Sequence, residues 1–141
     1  MPKKLIYFLS QSHIRSLIAE AWAKKLKLSD VTFISGSWLK ARKTHFVSEA
    51  LQEFAIDTPS SLSYVPSQKL LEKADLIVTI YDSTYEIAPH YPETLQKKIV
   101  YWDIKDPEHA KSTQSKWAIY QEICEQIAVL VMSLKKQFIE I

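Results

Sequence analysis

The apolar positions along this chain change their spacing several times, and each change marks an element. Leu5 to Leu9 (Leu-Ile-Tyr-Phe-Leu) is an unbroken apolar run behind Lys3 and Lys4, the pattern of a strand covered on both faces. From Leu17 the spacing turns helical, with Leu17, Ile18, Ala21, Trp22 and Leu26 on one stripe. Val31 to Ser35 predicts a second strand, ended by Gly36. Phe46, Ala50, Leu51 and Phe54 then predict a helix from His45 to Phe54. A break at Asp57 to Ser61 follows, and Pro66 opens a short helix through Lys73. Asp75 to Ile80 reads as a third, central strand and Ile99 to Trp102 as a fourth. A last helix from Thr113 to Gln137 carries Trp117, Tyr120, Cys124, Ile127, Val131 and Leu134 on one face. This order predicts a doubly wound α/β fold in a single domain over 1–141.

Composition narrows the function classes. Of 141 residues, 47% are hydrophobic and 24% charged, an ordinary globular balance. A net charge of +2 is too mild to argue for nucleic acid. The run Leu5 to Leu9 is shorter than the roughly 7–15 residues of a secretory core, and nothing approaches the roughly 20 of a membrane span. Together with a single cysteine, Cys124, this leads us to expect a cytoplasmic protein. The four histidines lack metal-ligand spacing, so neither metal nor cofactor is expected. Cys124, in the middle of an apolar helix face, reads as a small hydrophobe.

The candidate chemistry lies between the first strand and the first helix, at Ser10-Gln11-Ser12-His13-Ile14-Arg15-Ser16. Such a loop points backbone N–H groups and the positive end of the helix dipole into one concavity. Arg15 adds a planar fork of donors suited to a tetrahedral oxyanion. Phosphate, sulfate and arsenate-like anions are the ligands this set would take. Ser10 and His13 also allow a nucleophile and base, against the plainer reading of two polar loop residues. The chain has one glycine, Gly36, against an average usage of about 7%, so this loop must turn with side chains attached. Trp38, Lys40, Arg42 and Lys43 form a basic segment that would gather anions, or a solvated face with Trp38 packed as a lid. Tyr81, Tyr85 and Tyr91 belong to an aromatic-rich stretch that is either a packed surface loop or a protein-binding face.

Several segments together resemble the low-molecular-weight tyrosine phosphatase superfamily, and within it the thioredoxin-coupled arsenate reductases. They are Tyr7-Phe8-Leu9, Arg15-Ser16, Ala19-Glu20 with Trp22-Ala23-Lys24, Ala74 to Thr79, Tyr101-Trp102 with Asp106-Pro107, and Ser112 to Gln121. The resemblance implies a three-layer, four-stranded parallel sheet of order 2-1-3-4, phosphotyrosine phosphatase I-like. It also implies that Ser10 to Ser16, Tyr81-Asp82 and Asp106 converge at the carboxyl ends of the strands. The family mechanism needs a Cys-x5-Arg-Ser loop. Aligned on Tyr7 to Leu9, Ser10 takes the cysteine position and the loop is one residue short; aligned back from Arg15, Leu9 takes it. The two redox cysteines of the reductases correspond to Tyr81 and Ala88, the latter followed by Pro89. Asp106 matches the general acid of the phosphatases. The expectation is therefore a member without the family's catalysis that binds an oxyanion or phospho-ligand as a regulatory module, at a site rimmed by Trp38, Lys40, Arg42, Tyr81 and Tyr85. With the redox task gone, Tyr81 and Tyr85 are candidates to fill that site from above, against the favoured reading of a surface loop with aromatic packing. The alternatives are an active phosphatase or arsenate reductase using Ser10 or another group, and a protein-interaction module acting through Tyr81 to Tyr91. A protein partner, and a monomer or weak dimer, go with these readings.

Overall fold

The computed structural model describes residues 4–39, 46–59 and 64–139. The chain runs through β1 (Lys4–Ser10), α1 (Arg15–Lys25), β2 (Val31–Ser37), α2 (Phe46–Gln52), α3 (Gln68–Lys73), β3 (Leu76–Tyr81), β4 (Ile99–Asp103) and α4 (Thr113–Leu134). The four strands form one parallel sheet in the order β2-β1-β3-β4. β1 is central, with Ser10 level with Ser37 on one side and Ile80 on the other.

Alternate residues of β1 feed two cores, as the two-residue repeat of a strand requires. Ile6 and Phe8 face α1 and α4, where Ile18, Ala21, Ile123, Cys124 and Ile127 close the larger core. Tyr7 and Leu9 face the other way, packing with Ala74, Ile77, Leu70 and Leu71. Burial on both faces explains why β1 and β3 read as continuous apolar runs. Among the described residues no helix is long and apolar enough to cross a membrane.

Several boundaries differ from the sequence expectation, and α2 ends at Gln52 in place of Phe54. β2 passes through Gly36 and ends at Ser37. Gly36 does not terminate the strand; it makes room on it. A Cβ there would lie 1.8 Å from Tyr64 O and 2.7 Å from the Tyr7 hydroxyl. α4 stops at Leu134 and passes into a π-type turn over Lys135–Ile139 in place of regular helix to Gln137. Glu93–Lys98 forms a 3₁₀ segment leading directly into β4. His45, Lys40, Arg42 and Lys43 lie outside the described residues.

Candidate functional site

The turn from β1 into α1 folds back on itself. Ser10 Oγ donates to Ser12 O, accepts from Ser16 N at 3.1 Å and lies 2.9 Å from Ser16 Oγ, which donates to Gly36 O at 2.8 Å. Ile14 N bonds Ser12 O at 2.8 Å. Ser10, Ser12, His13, Ile14, Arg15 and Ser16 are all buried, and Gln11 is half-buried. α1 starts without a side-chain cap and has no acidic residue in its first turn. Arg15 therefore adds a positive charge where the helix dipole is already positive, and it needs an anion from elsewhere in the fold.

That anion is Glu86. Arg15 Nη2 donates to Glu86 Oε2 at 2.7 Å and Nη1 to Ile104 O at 2.9 Å, while Asp106 Oδ2 lies 3.6 Å from Nη2. The Arg15 and Glu86 side chains are 0% and 1% exposed. Glu86 is held from its other oxygen too, Oε1 accepting from Asp82 N at 2.7 Å. Asp82 accepts in turn from Thr84 N at 3.0 Å and from Asp106 N at 3.1 Å. Asp106 Oδ1 caps the Pro107–His109 turn through Glu108 N at 2.9 Å. Arg15, Asp82 and Asp106 thus meet at the strand ends. Glu86 joins them from a segment that the sequence reading sorted by its tyrosines.

Tyr81 and Tyr85 do not fill the site. Tyr81 meets Tyr101 edge-on at 6.2 Å, and Tyr85, 65% exposed, stacks on the His109 ring at 4.6 Å. The carboxylate arm of Glu86 is the group that reaches the guanidinium. Trp38 is half-buried in the smaller core, its backbone N–H bonded to Ser10 O at 3.2 Å. Glu86 was detectable in principle: a fully buried arginine calls for a carboxylate partner, and the first turn of α1 supplies none. Glu86, Asp106 and His109 bring one ligand atom each within 4.8 Å of one another, the spacing of a small cation site. The guanidinium already occupies the cationic position on Glu86 Oε2.

His13 turns away from Ser10. Its Nε2 lies 2.6 Å from Ser35 Oγ, and Ser35 gives its own proton to Glu20 Oε1, so Nε2 carries hydrogen and donates. Glu20, buried mid-helix, is also paired with Lys24 at 2.6 Å. Burial holds the His13 pKa below its usual value, partly opposed by Glu20. The unfolded chain therefore takes up a proton near the ordinary histidine pKa while folded His13 resists, and stability falls as pH drops below about 6.5. We expect the urea midpoint to fall more between pH 7.5 and 5.5 in the wild type than in His13→Gln; parallel losses would refute this.

Three buried polar atoms of the turn have no hydrogen-bond partner, Gln11 Oε1, Ser12 Oγ and Arg15 Nε. Cys124 is remote from them, inside the core on α4, and burial pushes its thiol up to about 12.

No family model matches the chain. It is 34% identical over 130 residues to the arsenate reductase of Halalkalibacterium halodurans, covering 90% of this chain and 91% of that protein. Among solved structures it is similar to a low-molecular-weight protein tyrosine phosphatase from T. tengcongensis, at a TM-score of 0.71 and 18% identity, covering 96% of this chain and 99% of that one. An arsenate reductase in the phosphate binding state matches at a TM-score of 0.69 and 17% identity, over 92% of this chain and 98% of that one.

Proposed function

The chain belongs to the low-molecular-weight tyrosine phosphatase and arsenate reductase superfamily, and from that premise we propose that it binds a tetrahedral oxyanion at Arg15 as a regulatory module without turning it over. The observation that carries the absence of turnover is the bonding of Ser10. The family resemblance puts Ser10 at the nucleophile position, yet its proton is directed back into the turn, onto Ser12 O and Ser16 Oγ. A serine needs a base to attack, and His13 Nε2 is a donor to Ser35. Loss of a nucleophile costs on the order of a million-fold in a serine protease. The one thiol is buried at Cys124 and strongly disfavours ionisation, so it supplies neither a nucleophile nor a disulfide pair.

Support for binding comes from the unused donor Arg15 Nε beside the positive helix start. Binding of phosphate by a structural relative gives the ligand class. The expected result is no aryl-phosphate hydrolysis or arsenate reduction at high protein concentration, by the wild type or by Ser10→Cys, and no phosphoryl group on Ser10 by intact mass. Thermal stability should rise with phosphate or arsenate. Turnover abolished by Ser10→Ala would overturn the non-catalytic part, and no thermal shift at tens of millimolar anion would overturn the binding part.

A second reading has its own observation. Tyr85 and Ile87 are 65% and 92% exposed on the segment after β3, an arrangement that favours contact with a protein partner. Capture of a partner lost on Ile87→Ser but kept in Arg15→Lys would favour it.

A further inference from the structure

The Glu86 carboxylate uses the Arg15 fork incompletely. A guanidinium offers a side edge made of Nε–H and one Nη2–H, which an oxyanion satisfies with two oxygens at once. Glu86 gives that group one oxygen, at 2.7 Å from Nη2; its other oxygen goes to Asp82 N. Nε is left buried and unpartnered in a residue with no exposure. Buried donors are almost always satisfied, so an idle one inside a charged cluster marks a place where an acceptor is missing.

The formal charges set the terms of entry. Asp82, Glu86 and Asp106 are three buried acidic residues around one buried guanidinium, with His109 at the edge. A doubly charged tetrahedral anion cannot join this set while the Glu86 carboxylate remains, because like charges in a dry site repel by several kcal/mol. Glu86 can leave more readily than the acids beside it. It sits between Tyr85 and Ile87 on an exposed stretch whose direct ties to the strands lie on either side of it, Ser83 on Asp103 at 2.6 and 3.0 Å and Tyr91 on Thr79 at 2.8 Å. Nearer at hand it has the Asp82 turn (Glu86 N to Asp82 O, 2.7 Å) and the Tyr85 stack on His109. Asp106 is anchored by its own cap and by Asp82.

We propose that Glu86 is a resident competitor for the Arg15 site. A tetrahedral oxyanion binds by expelling the Glu86 carboxylate, takes the Nε and Nη2 edge that Glu86 leaves half used, and loosens the stretch 84–90 between its ties at Ser83 and Tyr91. This rests on the oxyanion-binding reading above and adds to it a specificity-determining residue and a moving part.

The experiment is a calorimetric titration of the full chain with inorganic phosphate, wild type against Glu86→Gln, with hydrogen exchange of 82–91 followed in the wild type. Glutamine keeps the shape and removes the competing charge. We expect Glu86→Gln to bind phosphate at least about ten-fold more tightly, a difference of about 1.4 kcal/mol. We also expect saturating phosphate to speed exchange of the Asp82, Thr84 and Glu86 amides in the wild type, a measurement that needs no variant to fold. Equal affinities in the two proteins would overturn the competitor while leaving the oxyanion-binding reading intact. Tighter binding by the variant without faster exchange in the wild type would overturn the expulsion. Binding by neither protein would overturn both readings.

Discussion

Arg15→Ala should lower the free energy of unfolding by about 3–5 kcal/mol, the largest loss expected from any polar substitution in the chain. The guanidinium is wholly buried and holds together three elements: Glu86 from the segment after β3, Ile104 O at the end of β4, and the start of α1 itself. Its removal leaves the Glu86 and Asp106 carboxylates buried close to one another without a cation. Uncompensated buried charge is the costly part; a pair removed whole is far cheaper. Arg15→Ala combined with Glu86→Leu should therefore recover a substantial part of the loss. Arg15→Lys should fall between, since one ammonium cannot reproduce the planar reach to Glu86 and Ile104 O together. Urea unfolding of the four proteins at one pH gives the comparison. A loss below about 1 kcal/mol for Arg15→Ala would mean that the ion pair is not formed as described.

Gly36→Ala should be the second large effect, at about 3 kcal/mol, the upper end of what overpacking costs. Gly36 has no positive φ, so its backbone is one that alanine adopts freely. Replacing a strand glycine in open space would stabilise by roughly 0.5–1 kcal/mol. The loss expected here is purely steric. The new methyl would meet the backbone carbonyl of Tyr64, which cannot swing aside as a side chain can. Tyr64 is fixed there by its own N–H to Ser35 O at 3.0 Å and by the Tyr7 hydroxyl, which donates to Tyr64 O. Either that segment lifts and gives up both bonds, or β2 bulges and disturbs the Ser16 bond to Gly36 O. A urea midpoint unchanged or raised in Gly36→Ala would contradict the close approach.

The centre of the sheet was legible because β1 and β3 are apolar on both faces and the helices switch to the helical repeat within a residue or two, while the order of the strands rested on right-handed crossovers and the family resemblance. The position of Arg15 was legible for the same reason, since a helix start fixes where its first side chain goes. Glu86 was not. An acid among tyrosines, next to a proline and a histidine, reads as a solvated loop residue, and the residue it meets lies 71 positions earlier. Glu20 was hidden in the same way: a glutamate inside a helix is ordinarily a surface charge, yet it is buried against Ser35 and Lys24. Gly36 shows the remaining kind of gap. A lone glycine suggested the end of a strand, and only the approach of Tyr64, 28 positions later and on another segment, reveals why no larger residue fits. Local pattern fixes elements; pairings between distant segments depend on the assembled chain.

The arginine at the head of α1 has a history within each molecule's own synthesis. It leaves the ribosome well before its partners, since Glu86 and the Ile104 carbonyl that neutralise and bind it lie 71 and 89 positions further on. Until those have emerged, its charge has no reason to leave water. The heart of the domain is thus among the last places to lock, and a nascent chain truncated before β4 carries an unsealed, cationic helix tip.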